Sequence, residues 1–279
     1  MIIACYNAGA TLRETLGSLA EQEPFELVIV DDGSDDAQTL ELLEELRSEG
    51  IRVLRQTNSG PAGARMAGVE ATSARYVTAV DADDLQAPGA LATLADALDS
   101  NPDVKAAWGD TETFGEVRSR RQLAPNFDPW LITYMNEVPA GAMMRREALL
   151  DTGGWQLEGG YEDWDLWMSF AERGWRGLRI PFINGYYRVE GGAGVQAGAV
   201  ARHAELVTEL RRRHPELFAR RREHRRASPA PLSAKLLLPL VDRVPFVSEY
   251  TKHRLAHLVR HPVRLLRTRL PGARAGGAV

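Results

Sequence analysis

Carboxylates gather at three places in this sequence. "VTAVDADDLQAPGAL", which begins at Val77, sets Asp81, Asp83 and Asp84 directly behind an apolar run, and "ELVIVDDGSDD" sets Asp31, Asp32, Asp35 and Asp36 behind another. The third group is Glu162, Asp163 and Asp165 in "GYEDWDLW". Acids this close repel one another, so each group should hold a cation, cap a helix or solvate a loop. Asp35 and Asp36 suit a turn and the N-cap of a following helix, and Asp84 suits the turn before Pro88. Asp81 and Asp83 are alternate residues on the exit of a strand and fit a cap poorly. Two carboxylates so placed can hold a hard divalent cation while leaving positions for water and substrate phosphates. Glu162, Asp163 and Asp165, taken alone, are acids favouring a helix N-terminus.

The elements that must position these acids alternate. Over the first 110 residues, short β-branched runs trade places with amphipathic helices, the pattern of a parallel sheet flanked by helices. Strands are expected at Ile2 to Cys5, at "ELVIV", at "IRVLRQ", as one run at "YVTAV", and at "VKAAWG". Thr11 and Glu14 have capping-box spacing before a helix carrying Leu12, Leu16 and Leu19. The next helix offers Leu42, Leu43 and Leu46 as its buried face, and Pro61 stands in the first turn of another. In such sheets, ligands bind outside the carboxyl ends of the strands. Tyr6-Asn7, Asp31-Asp32-Gly33-Ser34 and Asp81-Ala82-Asp83-Asp84 all fall at strand ends, so they can converge on one crevice. Beyond Asp110, a strand and short helix close on a Gly-Gly turn. A helix with Trp164, Trp167, Met168 and Ala171 on its apolar face follows, then a strand-like "LRIPFINGYYRV". No internal repeat is found.

The 279 residues are 44% hydrophobic and 26% charged, which is ordinary for a globular protein. The net charge of -4 hides an asymmetry. Residues 202–279 carry 18 Lys and Arg against 6 Asp and Glu, whereas residues 1–201 carry 16 against 32. All six histidines lie at or after His203, so a general base or metal ligand in the first 200 residues must be mostly carboxylate. The single Cys5, in an apolar stretch, is expected to be a buried, inert thiol. With no signal-peptide pattern and no apolar run of about 18 residues, the expected location is the cytoplasm. The chain opens inside a strand, so either its start lies upstream or that strand is short.

A metal at Asp81 and Asp83 implies a phosphate-bearing ligand, yet the sequence has neither a G-x-x-x-x-G-K-[ST] loop nor a G-x-G-x-x-G turn. "GPAGARMAG" places glycines at 60, 63 and 68, which is wrong for a dinucleotide fingerprint. Phosphate charge would instead be met by the metal and by Arg65. P-loop hydrolases and nicotinamide enzymes are therefore disfavoured.

Four stretches, "CYNAGATLRETLGSL", "ELVIVDDGSDD", "NSGPAGARMAGVEATSARYVTAVDADD" and "GGWQLEGGYEDWDLWMSFAERGW", resemble the successive motifs of the family 2 glycosyltransferases, in order and in spacing. The resemblance covers roughly residues 1–190. It implies the A-type glycosyltransferase fold of the α/β class, with a Rossmann-like, mostly parallel central sheet flanked by helices, here followed by a basic helical C-terminal extension. Residues 1–200 would form the catalytic domain, with 1–110 the nucleotide-sugar-binding half and 111–200 the acceptor-binding half. Residues 201–279 would be the extension.

The resemblance also implies roles. Tyr6 would lie against the nucleobase, Asp32 would accept from the base, usually uracil, and Asp31 would support that site. Asp81-Ala82-Asp83 resembles the family's Asp-x-Asp element, with Asp83 a direct ligand of Mg²⁺ or Mn²⁺ and Asp81 reaching the ribose or the metal's waters. Arg65 matches an arginine on the donor side; the alternative is a solvated helix residue. The family pattern points to Asp163 as general base, and burial beside Trp164 and Trp155 would raise its pKa towards the working range. Glu162 is expected to hydrogen-bond the acceptor and Asp165 to face solvent. Trp155 is expected to stack on an acceptor sugar or to be a core residue. Many members place a histidine after the last strand, where this chain has Glu190.

The implied activity is metal-dependent, inverting transfer of a sugar from a nucleoside diphosphate sugar, uridine-linked, to a glycan or lipid-linked hydroxyl. The alternative is a non-catalytic sugar-nucleotide or glycan-binding module on the same fold. A nucleotidyltransferase would need a basic glycine-rich loop near the first strand, and "CYNAGAT" has none. The basic tail admits a solvated helical face or peripheral docking on the inner face of an anionic membrane through 228–279. Nucleic-acid binding is disfavoured there because aromatic platforms are nearly absent.

Overall fold

The computed structural model describes residues 1–20, 24–189, 198 and 200–260. In chain order, β1 (Ile2–Cys5), α1 (Leu12–Gly17), β2 (Val28–Asp31), α2 (Ala37–Ser48), β3 (Arg52–Arg55) and α3 (Gly60–Glu70) build the first layers. They are followed by β4 (Tyr76–Val77), β5 (Ala79–Asp81), β6 (Leu85–Gln86), α4 (Ala90–Ser100), β7 (Val104–Gly115), β8 (Ser119–Arg121) and β9 (Met143–Arg145). The remainder is α5 (Arg146–Asp151), α6 (Glu162–Glu172), β10 (Arg176–Val189), α7 (His203–Arg213), α8 (Pro215–Ala219), α9 (Arg221–Ala227), α10 (Leu232–Arg243) and α11 (Glu249–Arg260).

A four-stranded, all-parallel sheet runs in the order β3-β2-β1-β5, with Ile2 opposite Val28 on one side and Ala79 on the other. A second, mixed sheet has the order β4-β9-β7-β10-β6, with β8 added to β7. The run "YVTAV", expected as one strand, is two. Val77 pairs antiparallel with Met144 in the mixed sheet, and beyond Thr78 the chain pairs in parallel with β1. One apolar run thus stitches the two sheets together, because its halves find different neighbours.

Local chemistry explains the helix ends. Asp36 caps α2 by accepting from the Thr39 N–H at 2.8 Å, as expected, and Leu42, Leu43 and Leu46 are buried. The capping box foreseen for α1 does not form. Thr11 Oγ1 instead donates to the Ala82 carbonyl at 2.9 Å, joined by Thr15 at 3.0 Å, and Glu14 pairs with Arg188. The glycines of "GPAGARMAG" serve packing. Gly60 turns the chain at φ +74°, and a Cβ on Gly68 would sit 2.5 Å from Ile2, so α3 lies directly against β1.

Two buried clusters cover the faces of the sheets. One joins Ile2, Val28 and Val30 to Trp155, Trp164 and Trp167 and takes in Leu206 and Leu210 of α7. The other holds Cys5, Leu12, Leu43 and Leu94. A third, smaller cluster sets Ala234 and Leu238 of α10 and Ala256 of α11 on Trp130, Leu131 and Met135. Glu190 and the basic stretch 261–279 lie outside the described residues.

Candidate active site

The carboxyl ends of β1, β2 and β5 meet at one mouth, as their parallel register requires. Asn7, in the left-handed region at φ 50°, ties the first two ends together. Its side-chain N–H donates to Asp35 at 2.8 Å, while its carbonyl accepts from the Asp35 and Asp36 N–H groups at 3.0 and 3.1 Å. Beside it Tyr6 is 52% exposed, with its ring open for stacking. Asp31 is fully buried, accepts from Ser34 N–H at 2.9 Å and lies 3.1 Å from the Arg55 guanidinium. Asp32 is held by the Gln56 amide at 2.7 Å and the Ser59 N–H at 2.8 Å. Gln56 and Ser59 were not singled out by sequence. The available signal was their position just past β3, the neighbouring parallel strand.

At the end of β5 the three acids separate. Asp83 is exposed and Asp81 half-exposed, whereas Asp84 is buried. The Asp84 N–H closes a turn on the Asp81 carbonyl at 3.1 Å, and its carboxylate accepts from the Arg188 N–H at 2.8 Å. Burial first, then the charge of Asp81, pushes the Asp84 carboxyl up to about 8. Arg188 also donates to the Asp83 carbonyl at 2.9 Å and lies 4.5 Å from the Phe114 ring centroid, so the end of β10 clamps this turn. That arginine sits in "YYRV", two residues before the Glu190 that stands where many family members have a histidine, and only the topology reveals its role at this turn.

Two hard oxygen donors flanking Ala82 at an open mouth fit a small divalent cation that takes its remaining ligands from diphosphate and water. Among the described residues, no group of three His, Cys, Asp or Glu side chains could hold a metal unaided.

Arg65 is not solvated. It is 3% exposed on α3 and bridges Asp81 at 2.7 Å and Glu162 at 2.6 Å, joining the strand-end acids to α6. The Trp155 ring centroid lies 5.8 Å from its guanidinium carbon. Trp155 itself is buried, and its indole N–H has no hydrogen-bond partner.

Helix α6 starts behind Tyr161, a non-glycine residue at φ 62° whose hydroxyl meets His203 Nδ1 of α7 at 2.7 Å. Its three acids part company. Glu162 is buried and committed to Arg65. Asp165, expected at solvent, is 2% exposed; Arg213 takes it at 2.6 and 3.0 Å and His214 at 3.0 Å. That correction follows from an arginine and a histidine supplied 48 and 49 residues later in the chain. Asp163, half-buried, accepts among the described residues from two neutral donors, the Asn136 amide and the Trp164 N–H, each at 2.8 Å. Burial and the adjacent Glu162 charge raise the Asp163 carboxyl to about 7, against the opposing pull of Arg65. Asn136 escaped sequence reasoning because nothing in "TYMNEVPAG" shows that it faces α6.

Comparisons with known proteins place the chain in a family and a fold. Residues 1–153 match the family Glycosyl transferase family 2. The amylovoran biosynthesis glycosyltransferase AmsB of Erwinia amylovora is 40% identical over 90 residues, 30% of each chain. The uncharacterized glycosyltransferase YwdF of Bacillus subtilis is 26% identical over 77% of this chain and 83% of its own. The AmsB match, like that to the minor teichoic acid biosynthesis protein GgaA of B. subtilis at 38%, thus spans well under half of the relative's length. Among solved structures, S. aureus TarS residues 1–349 in complex with UDP-GlcNAc aligns at a TM-score of 0.62 with 20% identity, over 95% of this chain and 90% of that one. The mannosyltransferase PcManGT of Pyrobaculum calidifontis, in complex with GDP-Man and Mn²⁺, aligns at 0.59 with 20% identity over 96% and 82%.

Proposed function

This chain belongs to glycosyl transferase family 2 and has the A-type glycosyltransferase fold of its structural neighbours, and on that premise we propose that it transfers a sugar from a nucleoside diphosphate sugar to an acceptor hydroxyl with inversion. The observation that carries the reading is the sorting of α6, in which two acids are neutralised by cations and Asp163 alone keeps neutral partners and a pKa of about 7. A carboxylate at that value is ionised often enough at neutral pH to take a proton, and basic enough to keep it.

In the proposed reaction the acceptor oxygen attacks the anomeric carbon and its proton passes to the Asp163 carboxylate. The bond from that carbon to the diphosphate breaks, and the nucleoside diphosphate leaves with the electron pair. Asn136 holds one carboxylate oxygen, leaving the base oriented. Tyr6 would stack on the nucleobase and Asp32, fixed by Gln56 and Ser59, would accept from it; the neighbour that binds UDP-GlcNAc supports a uridine donor. Asp83, with Asp81, would hold Mg²⁺ or Mn²⁺, which when bound neutralises charge on the leaving diphosphate. Arg65 would hold Asp81 and Glu162 together through its two ion pairs. The acceptor is a glycan or lipid-linked hydroxyl, in keeping with relatives named for polysaccharide and teichoic acid biosynthesis. Residues 1–200 are proposed as the catalytic domain, and 201–279 as a basic extension.

A panel of nucleotide sugars, assayed for metal-dependent release of nucleoside diphosphate with oligosaccharide acceptors, tests the reading. The expected result is release with one donor, lost on chelation and in Asp163→Asn. Binding of a donor without release from any member would mark a non-catalytic sugar-nucleotide module instead.

A further inference from the structure

Helix α10 is turned inside out for a helix of a water-soluble surface. Its small Ala234 and its Leu238 face inward onto Trp130 and Met135, while Leu232, Leu236, Leu237 and Leu240 point outward, Leu232 at 71% exposure. These four, with Val244, lie on one side of the helix at its 3.6-residue repeat. The turn that follows adds Phe246, fully exposed and held in the left-handed region at φ 64°, a strained conformation for a bulky residue. Contiguous outward leucines with a projecting phenyl ring cost free energy in water, so the face should be covered by something apolar.

The charges around it say what. Helix α9 lies alongside α10, joined by the Arg221–Asp242 ion pair at 2.8 Å and by Lys235, whose ammonium reaches the Arg226 carbonyl at 3.5 Å. Helix α11 packs on α10 through Ala256 and Leu238. Exposed Arg222 and Arg226 on α9, Arg243 at the end of α10 and Arg254 on α11 form no ion pair among the described residues. The acids of this region are already engaged, Asp242 by Arg221 and Glu249 by Arg211 and Lys252. An apolar stripe bordered by uncompensated guanidinium groups matches a surface that is hydrocarbon beneath and anionic above. No helix among the described residues is long and apolar enough to cross a membrane, so the geometry is that of a helix lying in the interface.

We infer that the outer face of α10 and the Phe246 turn dock on an anionic lipid surface, with the leucines and Phe246 entering the acyl boundary and Arg222, Arg226, Arg243 and Arg254 meeting the headgroups. The inner face of α10 rests on the segment that includes Trp130 and Met135 and continues to Asn136, the partner of Asp163. Docking would therefore seat the membrane against the frame that holds the base. The inference stands apart from the transfer reading, since vesicle binding is measured without donor and either can fail alone.

Flotation of the full chain with vesicles of phosphatidylglycerol and phosphatidylcholine in equal parts, against vesicles of phosphatidylcholine alone, tests it. The expected result is binding to the anionic vesicles that weakens as salt rises. The double variant Leu236→Asp/Leu240→Asp, whose side chains already face water, should weaken that binding at least about tenfold with an unchanged thermal midpoint. Should that variant fold poorly, Arg222→Gln, Arg226→Gln and Arg243→Gln should each weaken anionic binding about fivefold. The inference is overturned by absence of vesicle binding, by equal binding to neutral vesicles, or by a folded aspartate variant, or arginine variants, that bind like the wild type. A dimer in sedimentation equilibrium that the aspartate variant dissociates would assign the face to a second copy and overturn it as well.

Discussion

The cluster Asp81-Asp83-Asp84 and the cluster Glu162-Asp163-Asp165 have the same make-up, three carboxylates within four residues. Their fates differ because their scaffolds differ. At the end of β5 the backbone does the sorting, since a tight turn leaves Asp83 outward and folds Asp84 under the end of β10. On α6, Asp163 is one residue from Glu162 and two from Asp165, spacings at which helix side chains do not face each other, so it meets different neighbours from either. Arg65 takes Glu162, Arg213 and His214 take Asp165, and Asp163 is left with amides. Which carboxylate is left with neutral partners is thus decided by where the basic side chains are, and those come from distant parts of the chain.

The sharpest way to break this contrast is Asp163→Asn. Turnover should fall about 10²–10⁴-fold while donor affinity, read by calorimetry, holds; near-normal turnover would remove Asp163 as the base. Next in size is Arg65→Met. Removing the cation shared by a buried and a half-exposed acid should lower stability by about 3–5 kcal/mol in urea titration. In the wild type, kcat/KM should fall as pH drops below about 7, because the base works only when ionised. Arg65 holds Asp163 down, so in the variant that limb should move to higher pH, and an unmoved limb would uncouple the two halves. Asp165→Asn should behave oppositely to Asp163→Asn, costing about 1–3 kcal/mol of stability with little change in kcat; a large loss of kcat at full stability would exchange the roles.

The smallest effect belongs to His214. Burial pushes its pKa down, but hydrogen bonds to Asp165 and Glu172 outweigh that and raise it above 6.5. A raised histidine contributes stability that is fully present below its unfolded value and is lost as pH rises through its folded one. The stability gap between wild type and His214→Asn should therefore be widest below pH 6.5 and close as pH rises through the raised value. A gap that grows with pH would mean that His214 is buried neutral.

Much of the donor side was legible because it is local. The apolar runs of β1, β2 and β3, the Asp36 cap and the buried leucines of α2 each follow from a few adjacent residues, and parallel strands bring their ends together by rule. What sequence did not show depends on long-range partners. Nothing near Thr11 announces that the Ala82 carbonyl will take its hydroxyl. Nothing near Thr78 announces that its two flanks join different sheets. Asp165 reads as a surface acid until α7 and α8 are folded over it, and Arg65, read as a donor-side arginine or a solvated helix residue, meets Asp81 and Glu162 only in the fold. The basic residues after 202, set apart by charge in the sequence, supply Arg213 and His214 to the interior.

The Arg65–Glu162 pair joins residues 97 positions apart. Contacts between residues so far apart must close a long stretch of chain, and folds rich in them fold more slowly. During synthesis the strands β1, β2 and β5 can emerge and pair well before residue 162 exists, but Arg65 then has only Asp81 as a partner and stays hydrated. The crevice is completed when α6 arrives and the guanidinium is sealed between its two acids. The raised pKa of Asp163 thus depends on the assembled crevice, since its causes are burial and the charges of Glu162 and Arg65 brought together there.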